Sequence, residues 1–198
     1  MRRSRARLTR RVTALAALAA AVLAGGCATQ EVAVAKEYLD EHTAATVTVG
    51  TRPWVFARAR PEFAVNARDY LTLVPMDVNR AGNHVLYFYC YAWSTVDKRG
   101  AAETGGKFEL VADGRQIPLT PSPTRPHDLG IGQPPLEPPS ESASALVVPT
   151  SREVLLFLSR SHDVAAIRTR DGLGERFDVW DDGRDAIAEF LQGASAAR

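Results

Sequence analysis

The spacing of apolar and polar positions changes several times along this chain, and each change marks an element. In residues 31–40, EVAVAKEYLD, Val34, Ala35, Tyr38 and Leu39 share one helical face, so a short helix is expected. Thr46–Val49 alternates in β-branched residues and predicts a strand. Pro53 interrupts, and WVFARA at 54–59 predicts another. Asn66–Asp69 reads as a turn, followed by the strand YLTLVPMDV, in which Pro75 suggests an edge or a bulge. Residues 79–83, NRAGN, predict a hairpin loop.

The strongest strand signal is Val85–Val96. Val85, Tyr87, Tyr89, Tyr91 and Trp93 alternate with Leu86, Phe88, Cys90, Ala92 and Ser94, so both faces are apolar. Such a strand belongs at the centre of a sheet covered on two sides. Lys107–Ala112 and Arg115–Leu119 flank Asp113-Gly114, a two-residue hairpin signal.

Residues 120–143 hold seven prolines with Ser and Gly and no apolar period. This composition predicts a mobile Pro-rich loop that folding does not need. Ser144–Val148 reads as a strand. SREVLLFLSRS suits a buried strand or a helix capped by Ser151, and Glu153 in a first turn favours the helix. Residues 163–169 and 175–180 predict a last hairpin around Asp171-Gly172-Leu173-Gly174. A helix over 184–192 follows, with Ile187, Phe190 and Leu191 on its apolar face and Gly193 at its C′ position. These elements predict an α+β fold: mostly antiparallel β, a sandwich-like sheet with short N-terminal and C-terminal helices.

The N-terminus has a different grammar. MRRSRARLTRR carries six arginines and no acid, and the apolar Val12–Leu23 follows. Twelve residues are short of the roughly 20 that a spanning helix needs. The order of basic, apolar and small residues is that of an export signal over residues 1–26. Arg10-Arg11 lacks the apolar residues that usually follow a twin-arginine pair, so the general secretory route is expected. Leu23-Ala24-Gly25-Gly26-Cys27 resembles the lipobox of bacterial lipoproteins, with Ala24 where leucine is commonest. The resemblance implies cleavage before Cys27, a lipid on its thiol and membrane attachment through it. Ala28, rather than aspartate, implies the outer membrane, with the domain on its periplasmic face. YLDEHTAATVTV at 38–49 and RDYLTLVPMDVNR at 68–80 also resemble parts of uncharacterised Gram-negative lipoproteins, a likeness that brings no activity with it.

Composition changes once the leader is set aside. Residues 27–198 number 172, enough for one mature domain, and carry 18 basic against 23 acidic residues, a formal charge of −5. An acidic domain is a poor partner for nucleic acid. With Cys27 lipidated, Cys90 has no disulfide partner and reads as a buried, inert thiol.

Candidate chemistry is thin. His42, His84, His127 and His162 have no metal-ligand spacing, and the sequence calls for no metal or cofactor. Asp178, Asp182, Gly183 and Glu189 mimic four positions of a calcium loop, but Trp180 stands where an oxygen is needed. Arg52, Arg58, Arg60 and Arg68 suggest an anion site, or surface pairing with Glu62 and Asp69. Tyr87, Tyr89, Tyr91 and Trp93 are either core or a row on which sugar rings or a partner protein dock. The expected function is a non-enzymatic binding or assembly accessory of the envelope, with a protein or glycan partner. The rival is an envelope hydrolase acting on wall or lipid, with Asp178 and Asp181 as acid and base.

Overall fold

One long strand organises the molecule. A computed structural model describes residues 34–96 and 107–196; residues 1–26, read above as an export signal, and Cys27 lie outside the described residues. The strands in chain order are β1 (Ala35–Asp40), β2 (Ala45–Gly50), β3 (Trp54–Ala59), β4 (Arg68–Arg80), β5 (Asn83–Ser94), β6 (Lys107–Ala112), β7 (Arg115–Leu119), β8 (Ser144–Pro149), β9 (Val164–Arg170) and β10 (Leu173–Asp181). Two α-helices accompany them, α1 (Arg152–Arg160) and α2 (Arg184–Ala196). Every strand pairing among the described residues is antiparallel. The α+β, sandwich-like sheet expected from the sequence is therefore what forms.

β4 pairs with β5 from Asp69↔Ser94 to Arg80↔Asn83. Its other edge is shared, first by β3 (Arg68–Leu73) and then by β2 (Met76–Asn79). Pro75 falls in the gap between them, where its missing N–H leaves no ladder bond unmade. It is thus neither at a sheet edge nor in a bulge. The gap is tight: a Cβ on Gly50 would lie 3.1 Å from Pro75 Cγ.

The hairpins follow from positive φ. β4–β5, β6–β7 and β9–β10 turn through Ala81-Gly82, Asp113-Gly114 and Asp171-Gly172, each pair with both φ positive as a type I′ turn requires. Residues 35–40 form β1 rather than the expected helix. Six residues with a weak helical stripe cannot sustain an isolated helix, and the TVTV strand offers a complete edge to pair with. Gly193 likewise does not end α2, which runs on to Ala196.

Period-two alternation sends the side chains of β4 and β5 into two separate cores. Leu71, Leu73, Phe88 and Cys90 face an inner cluster built from β3 to β10 and both helices. Val74, Met76, Val78, Tyr87, Tyr89 and Tyr91 face an outer one. The sheet curls around the inner cluster until its β7 side nears β8. Leu119 and Leu146 line one cavity of about 460 Å³, and Ser122 N–H donates to Val147 O at 2.7 Å. Helix α1 begins as expected: Ser151 Oγ accepts from Val154 N–H, and Leu155 and Leu158 are buried. At the start of α2, Gly183 sits so close to Trp54 that a Cβ there would lie 2.7 Å from Trp54 Cβ.

Candidate functional site

Three of the four expected aromatic site residues are core. Tyr87, Tyr89 and Tyr91 are 6, 3 and 2% exposed, beneath Leu129, Ile131 and Leu136 of the Pro-rich segment. That segment is packed as a cover on the outer face, not free of the sheet as its composition predicts. Prolines deny it a ladder, but its few apolar residues are spaced to meet the tyrosines. Tyr91 O–H donates to Leu136 O at 2.7 Å. Burial raises the Tyr89 phenol above its ordinary range.

Asp40, fully buried at the end of β1, fastens the cover. Its carboxylate accepts from Gly132 N–H at 2.6 Å and from His42 and Thr43 N–H at 3.0 and 3.1 Å. Thr43 Oγ1 donates to Gly130 O at 3.1 Å. Desolvation alone would raise the Asp40 carboxyl, but these hydrogen bonds outweigh it and hold it below the ordinary value. Their contribution is therefore complete above the ordinary carboxylate range and lost as pH falls through the lowered native value. Hydrogen bonds to a charged group contribute about 1.5–3 kcal/mol each. Asp40→Ala is thus expected to raise the rate of limited proteolysis within 120–143 by roughly tenfold or more at neutral pH. An unchanged cleavage rate would show that Asp40 does not hold the cover.

Beyond the cover's edge the outer face is open, and there the fourth residue, Trp93, meets partners the sequence did not single out. The register aligns Trp93, Tyr70, Ala57 and Asp178 across β5, β4, β3 and β10. Tyr70 stacks on Trp93 with centroids 4.2 Å apart and planes 13° from parallel. Trp180, 58% exposed, meets Tyr70 edge-on at 6.2 Å, and the Arg68 guanidinium covers its ring at 4.8 Å. Trp93 Nε1–H donates to Thr72 Oγ1 at 3.3 Å. Two cavities meet at Trp93. One, of about 380 Å³, has Val55, Thr72 and Tyr91 in its lining with Leu136 and Glu137 of the cover. The other, of about 570 Å³, runs past Ser94 to Ser140, Glu141 and Ser142.

The chain matches no protein-family model, no curated protein and no solved structure.

The remaining candidates are dispersed. The four positions of the calcium-like pattern have separate roles: Asp178 pairs with Arg176, Asp182 with Arg184 and Glu189 with Arg52, while Gly183 packs on Trp54. No group of three or more metal-ligating side chains occurs among the described residues. Asp178, the rival's proposed acid, is 74% exposed at its side chain and bonded to Arg176 at 2.7 Å. Asp178 pairs with Ala57 and Asp181 with Val55, on either side of a register shift. Of the four clustered arginines, Arg52, Arg58 and Arg60 are matched by acids, and Arg68 lies over Trp180. Arg58 and Arg60 reach the buried Asp69 at 3.5 and 2.8 Å, joined by Arg168 at 3.0 Å, and Glu175 takes Arg168 at 2.6 Å. His84 Nδ1 lies 2.6 Å from Asp77 Oδ2.

Proposed function

We propose that the chain is an envelope lipoprotein, held by lipid on Cys27 at the periplasmic face of the outer membrane. In this reading it is a non-enzymatic binding or assembly accessory. The observation that carries the binding role is the Tyr70–Trp93–Trp180 platform. Trp180 is exposed and Tyr70 and Trp93 are half-buried, so the three rings form a joined aromatic surface beside two cavities, whereas the other exposed apolar residues of the sheet, such as Leu39 and Leu173, are not part of it. Accessible aromatic rings braced by neighbours are good contact surfaces, because little side-chain freedom remains to be lost on binding. The acidic mature domain favours an envelope protein or glycan over nucleic acid as partner.

Two measurements test this. Cys27→Ser is expected to abolish fatty-acid labelling and to move the protein from the membrane to the soluble fraction. Retention with label would contradict the anchor. Crosslinking in native membranes is expected to yield a discrete adduct that Trp93→Ala and Trp180→Ala both reduce; an adduct indifferent to both places binding elsewhere.

A further inference from the structure

The platform's surroundings narrow the ligand. We infer that it is a saccharide chain without negative charge, seated across Trp93; this rests on the binding reading above. Trp93 is the residue common to both cavities. One face of its indole is taken by Tyr70 and its Nε1–H by Thr72, so the ring is fixed, half-buried against the outer cluster where the two cavities meet. A flat, fixed, apolar surface suits the C–H face of a pyranose ring, and carboxylates and hydroxyls beside it suit that ring's O–H groups.

Both cavities supply such groups. Glu137 borders the smaller cavity, and Ser140, Glu141 and Ser142 border the larger. Among the described residues, neither cavity is lined by Lys, Arg or His. An anionic ligand, such as a phosphate or a uronate, would therefore meet one carboxylate on each side of Trp93, while the Arg68 guanidinium of the platform is engaged over the Trp180 ring. Both volumes lie within the ordinary range of ligand sites, and two cavities sharing one wall fit a chain rather than a single ring.

The test uses the full-length protein in a detergent without a sugar headgroup, titrated calorimetrically with three tetrasaccharides: N-acetylglucosamine, glucose and galacturonate. At least one neutral tetramer is expected to bind, with galacturonate about tenfold weaker or worse. Trp93→Ala should weaken the neutral tetramer about tenfold or more. Glu137→Gln with Glu141→Gln should leave the fold intact and narrow the gap to galacturonate, which keeps the test valid if Trp93→Ala fails to fold. Equal or tighter binding of galacturonate overturns the inference, as does binding that Trp93→Ala leaves intact in a folded protein. If no tetramer binds while Trp93→Ala still removes the membrane crosslink, the saccharide inference falls and the binding reading stands. If neither occurs, both fall.

Discussion

Asp69→Ala is expected to destabilise the domain by about 3 kcal/mol, the scale of breaking a buried ion pair by removing one partner. The Asp69 side chain is 5% exposed, and its Oδ2 is shared by Arg58, Arg60 and Arg168. Arg168 is nearly as buried, and its guanidinium also lies 5.2 Å from the Phe177 ring centroid. Without Asp69, three guanidiniums face the more exposed Glu62 and Glu175 alone, and Arg168 cannot reach water. Urea denaturation of Asp69→Ala, Arg168→Met and the double variant checks this. The double variant should recover part of the loss, because it removes the stranded charge as well. Burial pushes the Asp69 carboxyl up, but the Ser94 hydroxyl, Arg60 and Arg168 outweigh it and hold it low. Its contribution is therefore present above the ordinary carboxylate range and lost as pH falls below it. A loss under about 1 kcal/mol at neutral pH would mean that the network is solvated like a surface pair.

Cys90→Asp is expected to cost about 4 kcal/mol or more, enough to unfold a marginal domain. Cys90 is 0% exposed and aligned between Leu73 of β4 and Leu146 of β8. A carboxylate there would lose its water without gaining a partner. The same burial raises the native thiol, so little reactive thiolate forms. In a Cys27→Ser background Cys90 is the one remaining thiol. It should label slowly in native protein and at the free-cysteine rate in denaturant. Fast native labelling would show that the inner core is open at β5.

These two sites differ in how far the sequence revealed them. Cys90 was legible, because apolar residues on both faces of a single strand report burial without knowledge of its neighbours. The hairpin turns and α1 were legible for a related reason: Asp-Gly and Ser-x-Glu act locally. Asp69 was visible among the arginines, but Arg168, which joins it from 99 positions away, was not. The outer platform failed in the same way. Tyr70 and Trp93 belong to different strands, and nothing local fixes the register that stacks them. β1 was read as a helix because Ala35, Tyr38 and Leu39, with Val34 before them, share one helical face, and the deciding factor was the edge of β2. The Pro-rich segment misled differently: composition records the absence of a ladder, but not that Asp40 and the tyrosine row give the segment a surface to cover.

The central claim is that the uncovered end of the outer face is occupied in the envelope while the tyrosine row is core. Hydroxyl-radical footprinting compares side-chain oxidation in the purified protein and in native membranes. In purified protein Trp180 and Trp93 should oxidise readily, and Tyr87, Tyr89 and Tyr91 should resist. In membranes the two tryptophans should become protected and the tyrosines stay unchanged. Equal oxidation of Trp180 and Trp93 in both preparations would contradict the claim, and ready oxidation of the three tyrosines in purified protein would contradict the fold on which it rests.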